Sequence, residues 1–450
     1  MSGISIPSGA TEIISRLNDA GYEAYAVGGC VRDSIRGQIP HDWDITTSAT
    51  PDEMREVFAG NKIIETGVKH GTLTIGSGEG EFFEVTTFRV DGEYKDGRHP
   101  ETVEFVRDVE GDLARRDFTM NAIACDAQGR VTDPFGGAKD IEDGIIRCVG
   151  DPDKRFGEDG LRILRALRFA AVLGFDIDAA TAGSIHRNVL LLDNISPERI
   201  NVELTKLVCG RYALDVLLEY KDIVTAIIPE LKPAIGFEQN SVWHRYDVYE
   251  HIMRAVDAYK GDDECIKIAL LLHDVGKPLC YTEDDQGHGH FYGHVEEGVK
   301  LAGPILTRLK FSNDQKDKIL DLIRYHDVIV EPTLKSCRRF LGKVGIGLFE
   351  DLAHIKRADI TAQSEYSYNR EYSKINEVLE MARQIAASDA CLTIKDLAVN
   401  GDDLMNVLGI APGRQVGEIL GALLDKVIED EIPNDKDRLI EYARTLTAKD

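Results

Sequence analysis

The sequence contains no apolar run of about 18 residues, the length a membrane-spanning helix needs. Its opening stretch, MSGISIPSGATEII, has neither the basic nor the apolar region of a secretion signal, so a membrane or secretory role is not expected. CxxC pairs are also missing. The eight cysteines, at 30, 125, 148, 209, 265, 280, 337 and 391, stand singly, which argues against a zinc ribbon or a disulfide framework and for reduced thiols in a cytoplasm. Positive charge is scarce: 53 Lys and Arg against 78 Asp and Glu leave a net of −25. Such a chain repels polyanions at long range, so any RNA partner must be held by local basic surfaces. No fixed-period repeat is visible. With 43% hydrophobic and 29% charged residues, the chain can bury sizeable cores, and 450 residues suggest about three domains.

Between Ala24 and about Gly150, short β-type runs (AYAV, GTLTI, FFEVTTF, TVEFV) alternate with Gly- and Asp-rich turns, which predicts an α+β region. From Asp151 onward strands are not expected, because apolar residues recur at helical spacing in LRILRALRFAAVLGF, KIALLLHDVGK and EILGALLDKVIEDEI. Breaks fall at PELKPAIGFEQN and around Pro332.

Gly28 and Gly29 follow a β-run and precede a helical stretch, where glycine lets backbone N–H groups approach an anion; the same pair also suits a plain structural turn. Asp42 and Asp44 flank Trp43. In an extended strand both carboxylates share one face, and two like charges held together call for a cation such as Mg²⁺. A lone DxD is equally at home in a solvated turn.

In order along the chain, GGCVRDSIRGQIPHDWDIT, TGVKHGTLTI, FEVTTFR, RRDFTMNAIA, DPFGGAKDIEDG, EDGLRILRALRFA and SPERINVEL resemble the motifs of class II tRNA nucleotidyltransferases and their bacterial poly(A) polymerase relatives. The resemblance covers roughly the first 205 residues. It implies a polymerase-β-like nucleotidyltransferase head in which Asp42 and Asp44 bind Mg²⁺, and Gly28, Gly29 and Arg32 meet the nucleotide. A third catalytic carboxylate comes from a neighbouring strand in this superfamily, with Glu84 the candidate, although an outward-facing strand glutamate fits too. Arg116, Asp117 and Asn121 are implied to hold ribose and phosphate, although RRD could also be a surface ion-pair cluster.

Asp159 and Arg162 are spaced i, i+3, predicting one shared helix face with Arg165 at the next step; an ordinary intrahelical ion pair has the same spacing. Arginine can donate to cytosine O2 and N3 or adenine N1, and the carboxylate can accept from cytosine N4 or adenine N6. Guanine N1–H and uracil N3–H would face arginine donors, leaving groups unpaired at about 1–3 kcal/mol each. The resemblance implies this pair as a protein template for CTP and ATP. The stretch RVDGEYKDGRHPETVEFV (89–106) is similar to the loop of CCA- and A-adding members. The Arg-rich segment of many poly(A) polymerases is not found after the DxD.

In the helical half, the order of His251, His273–Asp274 and a later Asp327 resembles the HD metal-dependent phosphohydrolases. That resemblance implies a second divalent metal on these four residues, with His294 and His326 as auxiliary ligands; each histidine singly is also an ordinary core or loop residue. Near the end, Gly413 and Arg414 suit a phosphate contact or a packing turn equally.

The expectation is an α+β head (1–150, catalytic) followed by all-α domains: a neck (151–228, base and RNA binding), an HD body (229–345) and a tRNA-binding tail (346–450). The implied activity is addition of C, C and A to the tRNA 3′ end, with the acceptor end and elbow of tRNA, CTP and ATP as partners and neither membrane nor DNA. A-only addition, poly(A) addition and HD hydrolysis as the main activity are the alternatives.

Overall fold

The structure is a computed structural model that describes residues 3–91, 103–388 and 390–447. It divides into two compact units, Met1–Pro229 and Glu230–Asp450.

The first unit opens with α1 (Ser8–Asp19), β1 (Ala24–Val27), α2 (Gly29–Ile35), β2 (Asp44–Thr47) and α3 (Pro51–Val57). Thr50 and Glu53 cap α3 reciprocally and Pro51 starts it, so this turn is fixed by its own sequence. Next come β3 (Ile63–Gly67), β4 (Thr72–Gly76), β5 (Phe82–Thr87), β6 (Arg89–Asp91), β7 (Val103–Phe105), α4 (Val109–Ala114), β8 (Ala124–Cys125) and β9 (Val131–Thr132). Seven strands form a mixed sheet in the order β3-β4-β5-β2-β1-β8-β9. β2 runs antiparallel to β1 and parallel to β5. Along β5 the pleat buries Phe83, Val85 and Thr87 and leaves Phe82 and Glu84 on the open face.

The helical part of this unit contains α5 (Gly137–Asp143), α6 (Pro152–Glu158), α7 (Leu161–Leu173), α8 (Ala179–Arg187), α9 (Pro197–Val208), α10 (Ala213–Glu219) and α11 (Lys221–Ile227). α7 is its axis, burying Leu161, Ile163, Leu164, Ala166, Leu167 and Ala170. Strands do not vanish after residue 150 as expected. Ile145–Ile146 pairs with Asp176–Ile177, and in the second unit Thr282–Glu283 pairs with Gly289–His290, each only two residues long and too short to carry a periodic signal.

The second unit is otherwise helical: α12 (Val248–Ala258), α13 (Glu264–Leu272), α14 (His294–Arg308), α15 (Asn313–Tyr325), α16 (Leu334–Thr361), α17 (Glu365–Ala386), α18 (Gly401–Leu408), α19 (Arg414–Ile428) and α20 (Lys436–Thr447). α16 kinks at Gly345, whose φ of 72° is a left-handed conformation that glycine adopts without strain. Cys337, Leu341, Phe349, Val378 and Leu379 seal α16 against α17. Leu404, Val416, Leu423 and Leu439 form a separate core for the last three helices.

Candidate functional site

Asp44 begins β2 and Asp42 precedes it by two residues, while buried Trp43 anchors the segment between them. Because Ile45 pairs in parallel with Val85, Glu84 stands beside Asp44. All three carboxylates line one cavity of about 720 Å³. Loss of hydration, then the Glu84 charge, raise the Asp44 carboxyl above its ordinary value; Arg116 opposes this and Asp42 adds to it. Three acids crowded on one cavity, one resisting ionisation, are a donor set of oxygens that suits a hard divalent cation.

On the other flank of β2, Val27 pairs with Asp44, and the chain turns at Gly28 into α2. Gly28 has φ 81°, a backbone that favours glycine, and a Cβ there would sit 3.1 Å from Arg116 Nη1, which places the guanidinium against this turn. Arg116 donates to buried Asp112 at 3.2 Å, and its Nε has no hydrogen-bond partner. The Gly28–Gly29 turn and the Arg116 guanidinium therefore form a positive cradle beside the acids.

Asp117 and Asn121 are braces rather than open binding groups. Asp117 Oδ1 accepts from Asn121 Nδ2 (3.0 Å) and Phe118 N–H (2.8 Å). Its Oδ2 accepts from Arg165 Nε (2.8 Å) and Nη2 (2.6 Å). Burial works against the Asp117 charge, yet Arg165 and Asn121 outweigh it and hold the carboxyl far below the usual range. Arg32 donates to Asn121 Oδ1 at 2.9 Å. Arg32, Arg165 and Arg168 all pack on the Phe169 ring, 5.2, 5.5 and 4.1 Å from its centre.

The shared helix face expected for Asp159 and Arg162 is corrected. α6 ends at Glu158 and α7 starts at Leu161, leaving Asp159 extended in the break. Its side chain takes the Leu161 N–H at 3.0 Å, the competition with the helix ladder that aspartate followed by glycine favours. Arg199, from SPERI, holds the Asp159 carboxylate with two nitrogens at 3.3 and 2.6 Å. Buried Arg162 instead donates to Glu158 (2.7 Å) and to the Arg155 and Arg115 carbonyls (3.0 and 2.9 Å). Nothing in the spacing pointed to Arg199. Most of the 89–106 loop, residues 92–102, lies outside the described residues.

In the second unit, α12, α13, α14 and α15 bring His251, His273, Asp274, His294 and His326 together. Two triads, His251–His273–Asp274 and Asp274–His294–His326, each have ligand atoms within 4.8 Å of one another. All four imidazoles turn Nδ1 toward a backbone carbonyl: Ala362 (3.3 Å), Leu270 (2.7 Å), Phe291 (2.9 Å) and Ile323 (2.7 Å). Each Nδ1 hydrogen is thereby committed outward, leaving the Nε2 lone pairs toward Asp274. His251 Nε2 and His273 Nε2 are buried without a hydrogen-bond partner, each 3.2 Å from Asp274 Oδ2, which has the Lys277 ammonium 2.7 Å away. That tautomer and those orphaned atoms fit a divalent metal. Without one, burial disfavours the His251 imidazolium, but Asp274 and Asp359 outweigh it and raise its pKa to about 9.

Asp327 does not join this cluster. One residue beyond His326, it is rotated outward into solvent, where Lys356 meets it at 3.4 Å. Asp359 of α16 takes the place expected of Asp327, 3.2 Å from His251 Nε2 and 3.9 Å from His273 Nε2. No motif marks Asp359, whereas Asp327 was read as the later aspartate of the H, HD, D order. Lys277 Nζ lies 2.7 Å from Asp274, a further charge the sequence reading passed over. In the tail, Arg414 is exposed and donates to Glu418 at 2.7 Å.

Comparison with known proteins finds relatives along nearly the whole chain. Residues 24–147 match the family described as Poly A polymerase head domain, 174–235 that described as Probable RNA and SrmB- binding site of polymerase A, and 296–443 that described as tRNA nucleotidyltransferase domain 2 putative. The CCA-adding enzyme of Geobacillus thermodenitrificans is 36% identical over 97% of each chain. That of Ligilactobacillus salivarius is 33% identical over 97% of this chain and 96% of its own. The crystal structure of Bacillus stearothermophilus CCA-adding enzyme in complex with CTP superposes with a TM-score of 0.73 at 32% identity, covering 98% of this chain and 97% of that one.

Proposed function

The chain belongs to the CCA-adding tRNA nucleotidyltransferases, and on that premise we propose that it adds C, C and A in succession to the tRNA 3′ end from CTP and ATP. The observation that carries this reading is the placement of Asp42, Asp44 and Glu84 on one cavity, across β2 from the Gly28–Gly29 turn and Arg116. Asp42 and Asp44 would hold Mg²⁺, with Glu84 beside them. Magnesium bound there would offset the triphosphate charge and make the primer hydroxyl a better nucleophile. The primer 3′-oxygen bonds to the α-phosphorus while the bond to the β-phosphate oxygen breaks, and its electron pair leaves with pyrophosphate. Glu84 would receive the hydroxyl proton. Arg116 and the Gly28–Gly29 amides hold the triphosphate, while Asp117 and Asn121 act on the nucleotide through Arg165 and Arg32. Catalysis is then mainly positioning and charge stabilisation.

For base choice, Asp159 supplies the acceptor and Arg162 the donors, with Arg199 fixing the acceptor's direction. Head and neck keep the boundaries read from sequence, whereas Asp359 and the shared core of α16 and α17 extend the body past residue 345, and neck and tail would take the acceptor end and elbow of tRNA. Free thiols at all eight cysteines suit a cytoplasmic setting. Asp42→Ala and Asp44→Ala should abolish transfer while leaving tRNA affinity intact; retained turnover would overturn the assignment.

The orphaned atoms of the second unit favour an additional reading, a divalent metal on His251, His273, Asp274 and Asp359 with His294 and His326 alongside. Its chemistry would be hydrolysis of a phosphate ester by an activated water. Loss of phosphatase activity in His273→Ala, with CCA addition unchanged, would separate the two sites.

A further inference from the structure

In-line displacement puts the attacking hydroxyl and the departing pyrophosphate on opposite sides of the α-phosphorus. The sheet offers Asp44 two different flanks. On the β1 flank stand the Gly28 turn and Arg116, the positive groups a triphosphate needs. On the β5 flank lies the 720 Å³ cavity, walled by Pro7, Pro40, Thr74, Phe82, the three carboxylates and a fourth, Glu81. Among the described residues, no lysine or arginine lines it. A triphosphate has no counter-charge there, whereas a nucleoside ending in a hydroxyl carries none to offset.

The same flank has a surface for a base. Phe82 shares the open face of β5 with Glu84 by the two-residue pleat, and 46% of it is exposed. Lys62 Nζ lies 5.3 Å from the Phe82 ring centre. An exposed aromatic ring with an ammonium over it offers the two groups that hold single-stranded RNA, the ring taking a base as the ammonium turns aside to a backbone phosphate.

We propose that this cavity receives the terminal nucleoside of the acceptor RNA, its base against Phe82 and the phosphate on its 5′ side toward Lys62, so that its 3′-hydroxyl meets the carboxylates from the flank opposite the triphosphate. Phe82 and Lys62 are then positioning residues for the primer and not for the incoming nucleotide. This inference rests on the nucleotidyltransferase reading above.

The test measures addition of the first C to an acceptor-stem hairpin RNA that ends before CCA, varying RNA and CTP separately. For Phe82→Ala, KM for the RNA should rise about tenfold, the effect expected when one base loses its stacking partner, while KM for CTP stays within about twofold. Phe82→Tyr should restore the RNA KM, and Lys62→Ala should raise it by a smaller factor and flatten its dependence on salt. If Phe82→Ala folds poorly, Phe82→Leu, which keeps bulk without an aromatic face, carries the same expectation. An RNA KM unchanged in these Phe82 variants, or a CTP KM that moves as much as the RNA KM, overturns the inference while leaving the enzyme reading in place. A wild-type protein that transfers no nucleotide overturns the enzyme reading, and this inference with it.

Discussion

In the head, Asp117 is buried and receives four donors, from Asn121, Phe118 and two nitrogens of Arg165. In the second unit, His251 and His273 are just as buried, and each Nε2 lies 3.2 Å from Asp274 Oδ2 without an aligned hydrogen bond, the carboxylate having the Lys277 ammonium at 2.7 Å instead. Burial alone therefore does not separate a brace from a site; satisfaction does. A saturated carboxylate holds its neighbours in place, and an unsatisfied set of ligand atoms is complete only with something bound.

If Asp117 is a saturated brace, Asp117→Asn leaves Arg165 only the more distant Glu203, at 3.7 Å, and should cost about 3 kcal/mol in chemical denaturation. Its sign with pH follows from the lowered carboxyl. The stability it gives is fully present above the ordinary aspartate pKa and is lost as pH falls through the lower folded value, so the gap between wild type and variant should close in acid. A gap constant down to strong acid would contradict the pairing.

The open cluster should behave in the opposite way, gaining stability from solution. Adding Mn²⁺ or Zn²⁺ at a hundredfold over its Kd should stabilise the protein by about 2.7 kcal/mol, seen as a rise in Tm that a chelator reverses. His273→Ala and Asp359→Asn should lose most of that rise, and Asp327→Asn should keep it.

Asp159 lies between the two extremes, held by Arg199 with 18% of its side chain exposed. Asp159→Ala should relax discrimination against G and U by about 1–3 kcal/mol in competition assays with all four NTPs, and Arg199→Ala by less, since it acts through Asp159. Unchanged selectivity in Asp159→Ala would remove the templating role. The smallest effect belongs to an exposed pair, Glu53 with Arg107, where the guanidinium holds the carboxyl down to about 2. Glu53→Gln, which keeps the helix cap, should cost no more than about 1 kcal/mol at neutral pH. Since the Glu53 carboxyl is depressed, that difference should disappear as pH falls through about 2.

What the sequence made legible was local. The paired glycines, Asp42 and Asp44 are placed by a strand, a turn and a strand in immediate succession, and periodicity alone separated the α+β head from the helical remainder. Glu84 needed the parallel pairing of β2 with β5, which only the superfamily resemblance supplied. Two errors came from taking sequence neighbours for spatial ones. Asp159 and Arg162 were read across a helix break that Asp–Gly creates, and Asp327 was preferred to Asp359, which reaches the cluster from another helix 32 positions later. Arg199, Lys277 and Phe82 lie in segments the sequence singled out, but their individual roles were not legible, because these depend on what the fold sets opposite them.

The central claim is tested most directly by offering the purified protein, with Mg²⁺ and one NTP at a time, three tRNA transcripts ending before CCA, after the first C and after the second. The account predicts C added to the first two and A to the third, each addition lost in Asp42→Ala. Addition of A to the third alone, long A tails on any RNA, or no incorporation would contradict it.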